Sequence, residues 1–245
     1  MRVAALYDIH ANLPALEAVL EEVLRTDVDQ IVVGGDLLPG PMPVETIERL
    51  RAMMVPVQYI TGNGEREVLA ARRGAELQRL PAWAVEGIRW NARLLTAKHE
   101  EWVAGWPKSI RLEIAGLGRI LFCHATPRDD NEIFTRLTAE APLLPVFANA
   151  QAEVVVCGHT HMQFDRVVGK ARVVNAGSVG MPFGEPGADW LLLGREIQLR
   201  HTNYDHAKAA TRIRATGYPQ GPEFDMLEPP SGAKMLELFG RAELK

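Results

Sequence analysis

A chain of 245 residues, 47% hydrophobic and 24% charged, has the composition of an ordinary globular domain and enough length to bury a full core. Its formal net charge of -4 advertises no nucleic-acid or membrane surface, and no apolar stretch reaches the length of a membrane span. Two cysteines, Cys123 and Cys157, each close an apolar run just before a polar segment and read as buried thiols rather than a disulfide framework.

Val3 to Tyr7 reads as a short buried strand cut off by Asp8 and His10. It lacks the apolar core and cleavage site of a signal peptide, so a cytoplasmic protein is expected. Leu13, Leu16, Val19, Leu20, Val23 and Leu24 recur at helical spacing and predict a helix. Ile31 to Val33 predicts a second strand, Val44 to Met53 a helix, and Val57 to Ile60 a third strand. This alternation predicts an α/β sheet whose first strands run parallel.

Residues 65–107 read as helical and amphipathic. Trp83, Trp90, Trp102 and Trp106 are expected to pack. The region reads either as a partial cap that narrows the site, the favoured reading, or as ordinary helical packing with an exposed basic face of Arg66, Arg72, Arg73 and Arg79. Ile110 to Ile114 and Arg119 to Cys123 predict a hairpin across Gly116-Leu117-Gly118. Five more short strands follow: Val154 to Cys157, Phe164 to Val168, Arg172 to Val174, Trp190 to Leu193 and Ile197 to His201. A helix from Asp205 to about Thr216 precedes a C-terminal extension, 218–245, which reads as a last helix or a loose tail. The whole is expected to be one domain, 1–245.

The polar residues that close these strands carry the chemistry. Asp8, Asp36, Asn63, His124 and His159 each follow a hydrophobic strand. In an open α/β sheet, ligands bind beyond the carboxyl ends of the strands. The candidate blocks are Asp8-Ile9-His10, Gly35-Asp36, Gly62-Asn63-Gly64-Glu65, His124 and Gly158-His159-Thr160-His161. Mixed nitrogen and oxygen donors without thiolate suit Mn, Fe, Zn, Ni or Co, with Mn or Fe favoured. A carboxylate such as Asp36 has two oxygens and can bridge two cations. Two cations together form a clamp for in-line displacement at phosphorus. Asp8 and Asp36 have a plainer reading as helix N-caps. His99, His201 and His206 lie outside the blocks and read as surface or packing residues.

The five blocks in this order resemble the calcineurin-like metallophosphoesterase family. His124-Ala125-Thr126-Pro127-Arg128-Asp129 and Asn175-Ala176-Gly177-Ser178-Val179-Gly180 resemble its small prokaryotic phosphodiesterase branch. The likeness covers roughly residues 1–202, and five blocks in order are specific where each alone is not. It implies a four-layer αββα sandwich with two central mixed β-sheets. It implies that Asp8, His10 and His161 hold one divalent metal ion, that Asn63, His124 and His159 hold a second, and that Asp36 bridges them with the water or hydroxide that attacks. Asp36, Asn63 and His124 are then the catalytic group, with Asn63 as a candidate substrate contact; Arg128 and Asp129, just after His124, read either as substrate contacts or, equally, as an ion pair that orders the loop.

One block departs from the family pattern. Where many members have a histidine after the asparagine, this chain has Gly64. That histidine is the residue usually proposed to protonate the leaving group. Gly64 is instead expected to serve a left-handed backbone position, and Glu65 to orient its neighbours, with a stand-in role as the acid as the alternative. The expected function is hydrolysis of a phosphodiester or activated phosphate ester, on a small substrate. The alternatives are a phosphomonoesterase acting on a nucleotide, phosphoprotein or small metabolite, and a metal-containing binding or scaffold protein without turnover. Oligomeric state is not legible in the sequence.

Overall fold

The computed structural model describes residues 1–78, 80–224 and 226–244, and of these the side chains of Trp83, Pro222 and Glu223 lie outside the description. The expectations for Arg79 and the Trp83 side chain therefore fall outside the described residues. The chain opens with β1 (Val3–Leu6), α1 (Leu13–Arg25), β2 (Gln30–Val33), α2 (Pro43–Arg51) and β3 (Val57–Tyr59). β1 pairs parallel with β2, and β2 with β3, as the early alternation predicts. Three helices follow: α3 (Asn63–Arg72), α4 (Ala82–Leu94) and α5 (Ala97–Ala104). The predicted hairpin forms as β4 (Ser109–Ile114) and β5 (Gly118–Cys123).

The second half contains α6 (Glu140–Phe147), β6 (Val154–Cys157), β7 (Phe164–Val168), β8 (Ala171–Asn175), β9 (Ala188–Leu193) and β10 (Ile197–Thr202). It closes with α7 (His206–Ala215), α8 (Gly221–Phe224) and α9 (Gly232–Ala242). The strands form two mixed five-stranded sheets, ordered β10-β9-β1-β2-β3 and β4-β5-β6-β8-β7.

Strand alternation stacks these sheets. Val3, Ala5 and Tyr7 point one way and meet Ile120, Phe122, Val154, Val156 and Val174 of the second sheet. Ala4 and Leu6 point the other way, onto Leu16, Val19 and Leu20 of α1 and Ile47 of α2. In the second sheet Leu121, Val155 and Val173 face outward onto Leu143, Val146 and Phe147 of α6. Strands buried on both faces read as unbroken apolar runs. Each such Val, Leu or Phe contributes about 1.5–3 kcal/mol on burial, which holds four layers, αββα, in register.

Helices α3 to α5 join the outer face of the first sheet. Val68, Ile88, Ala92 and Leu95 belong to its core cluster, and Trp102 and Trp106 close on Tyr59 with centroids 4.9 and 4.8 Å away. The basic residues on this face are paired: Arg72 and Arg73 share Glu100, and Arg66 meets Asp130. Neither Asp8 nor Asp36 is a cap. Asn12 accepts from Ala15 N at the start of α1, and Met42 precedes α2.

The C-terminal segment from α7 onward wraps back over the sheet ends. Arg212 of α7 pairs with Glu17 of α1. Tyr218 and Phe224 join Leu13 and Met42 in a satellite cluster. Ser231 caps α9, Gly184 N donates to the Pro230 carbonyl, and Leu244 N donates to the Ile133 carbonyl. Among the described residues, no helix is long and apolar enough to cross a membrane.

Candidate metal centre

The two sheets deliver their strand ends to one place. Asp8 follows β1, Asp36 follows β2, Asn63 opens the helix after β3, His124 follows β5, and His159 and His161 follow β6. Hydrogen bonding between the first two strands continues past their ends: Asp8 N donates to the Gly35 carbonyl at 3.1 Å and His10 N to the Asp36 carbonyl at 2.9 Å. The loops carrying the first two acids are thereby held side by side.

Backbone strain concentrates here. Asp8, His10, Asp36, His159 and His161 all have φ between 47° and 67°, a left-handed region that costs non-glycine residues about 1–3 kcal/mol. They are five of the nine non-glycine residues with positive φ among those described. The neighbouring packing sustains that strain, which turns these side chains inward.

Two groups of donor atoms result, Asp8 with His10 and His161, and Asp36 with His124 and His159, each with its atoms within 4.8 Å of one another. Asp36 touches both groups. Its Oδ2 lies 3.9 Å from His10 Nε2 and its Oδ1 lies 3.5 Å from His124 Nε2. Asn63 Oδ1 lies 3.1 Å from the same His124 Nε2. All seven predicted ligand residues therefore converge.

The donor set fits cations. Nδ1 of His10 donates to the Pro39 carbonyl, Nδ1 of His124 to Gly34 and Nδ1 of His161 to Met181, at 3.2, 3.1 and 2.9 Å. A carbonyl oxygen only accepts, so each Nδ1 carries a proton and each Nε2 is the atom turned to the site, where a cation takes the place of a proton. The Asp8 carboxylate uses Oδ2 to accept from His159 N at 2.8 Å, while its buried Oδ1 has no hydrogen-bond partner. That oxygen faces His161 Nε2 at 3.3 Å. An unsatisfied buried acceptor costs about 1–3 kcal/mol, and a cation between these atoms removes the cost.

Charge is distributed unevenly. Burial pushes the Asp36 and Asp8 carboxyls up, but the histidines beside them, His124 for Asp36 and His161 for Asp8, outweigh burial and hold both below the ordinary carboxylate range. Burial pulls His124 down, yet Asp36 and Asp8 raise it to about 10. Burial and the charge on His124 lower His159 to about 4. Burial and His161 also lower His10.

Glu65 ties the loops together from behind. Its fully buried carboxylate accepts from the backbone N–H groups of Asp36, Leu38 and Gly62 at 2.9, 2.9 and 2.8 Å. Burial and the Asp36 charge raise it to about 7. Gly64 N donates to Asp36 Oδ1 at 2.7 Å. The reason for glycine at 64 differs from the expected one: its φ is not positive. A Cβ there would overlap the Leu38 carbonyl oxygen and crowd Asp36, so close approach, not left-handed backbone, requires glycine. Ser178 Oγ donates to the Asp8 carbonyl, and Asn175 Nδ2 to the Gly158 carbonyl. Both residues shape the loops under the site.

Arg128 does not reach the ligand cluster directly; its guanidinium pairs with Glu132, and it lines a cavity that reaches His124. Of the histidines outside the blocks, His99 Nδ1 accepts from Thr96 N in the capping box of α5, His201 pairs with Asp189, and His206 packs on Tyr204. Sequence reasoning missed the aromatic surround. Phe183 stacks on His161 with centroids 5.0 Å apart, and Phe224 meets the edge of His10 at 6.2 Å. It also missed Glu67, whose carboxyl hydrogen-bonds Asn63 and is raised to about 7 by burial and Asp36. The i, i+4 spacing of Asn63 and Glu67 was the available signal.

A sandwich of two mixed sheets with Asp and His at the strand ends is the architecture of metal-dependent phosphoesterases. The chain belongs to the calcineurin-like phosphoesterase superfamily, whose domain matches residues 1–194. It is 25% identical over 238 residues to an uncharacterized protein of Methanocaldococcus jannaschii, covering 89% of this chain and 94% of the relative. The crystal structure of a hypothetical protein from Pyrococcus horikoshii superposes with TM-score 0.77 at 20% identity, covering 89% of this chain and 94% of that one. The crystal structure of a metallophosphoesterase from Sphaerobacter thermophilus does so with TM-score 0.69 at 24% identity, covering 90% and 95%. These two likenesses show the shared fold.

Proposed function

We propose that the chain is a phosphodiesterase that works with two divalent metal ions, manganese or iron before zinc, nickel or cobalt. Asp8, His10 and His161 hold one ion; Asn63, His124 and His159 hold the other; Asp36 bridges. The observation that carries this reading is the placement of Asp36, with one carboxylate oxygen toward each donor group at 3.9 and 3.5 Å. When bound, the ions activate water and neutralise charge that develops on the phosphate oxygens.

The chain's own residues do the rest. Pro39, Gly34 and Met181 carbonyls fix three imidazoles with Nε2 inward. Asn63 turns its Oδ1 to the ligand cluster, and its amide nitrogen can donate to a phosphate oxygen. Arg128, on the wall of the adjoining cavity, contacts the substrate beyond the scissile ester. Position 64 offers no side chain to protonate a departing alkoxide, and general-acid catalysis is worth ~10²–10⁴-fold. Esters with stable leaving groups, aryl diesters first, are therefore the substrates of choice. In this reading the substrate is a small phosphate ester met in the cytoplasm.

Metal analysis of the purified protein, joined to hydrolysis of bis(p-nitrophenyl) phosphate with and without chelator, tests the proposal. Two ions per chain and turnover abolished by chelator are expected. Two ions with no turnover on any phosphate ester points to a binding protein and overturns it.

A further inference from the structure

The cavity beside His124 is lined almost wholly by polar and charged residues. It has a volume of about 390 Å³, and of its ten lining residues only Pro127 is apolar. A stacked aryl group or nucleobase finds little there to bury against. Three cations line it: Arg66, Lys108 and Arg128.

Its acidic residues are already engaged. Arg66 Nε and Nη2 each donate to the Asp130 carboxylate at 2.9 Å. Asp129 Oδ1 accepts from Asn131 N at 2.7 Å. Glu132, behind the wall, takes Arg128 Nε at 2.8 Å and the Thr126 hydroxyl at 2.6 Å. The cations retain free donors. Neither Arg66 nor Arg128 uses Nη1 in a hydrogen bond among the described residues, and the exposed Lys108 ammonium has no partner among them. A guanidinium locked along one edge by a carboxylate presents its other edge already oriented, which suits a phosphate.

Resting on the reading above, we propose that this cavity holds a second phosphoryl group of the substrate, so that the natural substrate is a small molecule carrying a phosphate separate from the scissile ester. Lys108 and the free edges of Arg66 and Arg128 receive that group while the first phosphorus lies at the donor cluster.

Calorimetric titration of the metal-loaded protein with butane-1,4-diyl bisphosphate and with butyl phosphate tests this. Two equivalent phosphates gain about twofold on statistics alone; the bisphosphate is expected to gain about tenfold beyond that. The gain shrinks as salt is raised, falls about fivefold or more in Lys108→Met, and survives in Lys108→Arg. Equal binding of the two ligands after the statistical factor, or a full gain in Lys108→Met, overturns the proposal. Butyl phosphate separates the two readings. If it binds but the bisphosphate gains nothing, the cavity assignment alone fails. If butyl phosphate binds only through Lys108, and metal removal leaves that binding unchanged, the cavity stands and the metal-centre reading fails.

Discussion

The Nε2 atoms of His10 and His161, 151 residues apart in the chain, face each other at 3.1 Å. Each ring donates through Nδ1 to a carbonyl oxygen, which turns both Nε2 atoms to one point, as two ligands of a single cation are turned. His161→Ala is expected to lose one of the two metal ions and to lower kcat by about 10²-fold or more, as an electrostatic stabiliser's removal does. Elemental analysis of the purified variant reads the first effect. A variant that keeps both ions at full occupancy contradicts the ligand assignment.

Gly64 marks the departure from the family pattern, and its packing predicts that the departure is not simply reversible. A Cβ at this position overlaps the Leu38 carbonyl oxygen. Gly64→His is expected to destabilise the protein by about 1–3 kcal/mol, as overpacking does, and to disturb Asp36. Denaturant unfolding measures the first, and metal content the second. A Gly64→His protein of unchanged stability with raised activity on alkyl esters would show that the loop has room for a histidine.

Glu65 accepts three backbone N–H groups from two loops. Glu65→Gln keeps the size but turns a donor toward one of those N–H groups. A loss of about 1–3 kcal/mol is expected, together with weaker metal binding, because Asp36 N is one of the three donors. Thermal unfolding of the metal-free and metal-loaded forms reads both. Unchanged curves would mean that the loops are held without it.

His201 joins the two strands of a hairpin outside the site. Its Nδ1 lies 2.7 Å from Asp189 Oδ1 and its Nε2 lies 3.1 Å from the Pro186 carbonyl oxygen. Both partners accept, so the ring is satisfied when protonated. Burial pulls the imidazole down, but Asp189 and the Pro186 carbonyl outweigh it and hold it above its usual 6.5. A raised histidine contributes stability that is fully present below pH 6.5 and lost as pH rises through the folded-state value. Solvent screening keeps the effect to at most about 1 kcal/mol. The Tm difference between the natural protein and His201→Gln is therefore expected to be largest near pH 6 and to shrink toward pH 9. The opposite slope contradicts the pairing.

The candidate ligand residues were legible because they follow short strands, and strand ends of an α/β sheet share one edge. The faces of those strands were legible too: Val3, Ala5 and Tyr7 alternate with Ala4 and Leu6 between two cores. What sets the imidazole orientation was not legible. Pro39, Gly34 and Met181 act through carbonyl oxygens, which leave no mark on the residue type. The partners of Arg66 and His10 were hidden by distance along the chain, since Asp130 and Phe224 lie in segments without a motif. Helix α6 went unanticipated because it is short and carries Pro145 internally, against the usual helical pattern.

Steady-state kcat/KM of the metal-loaded protein for bis(p-nitrophenyl) phosphate and for an alkyl phosphomonoester, each with and without chelator, tests whether the proposed site depends on metal and suits diesters. Chelator-sensitive hydrolysis of both is expected, with the aryl diester ahead by about 10²-fold or more. Preference for the alkyl monoester, or turnover that survives complete metal removal, would contradict it.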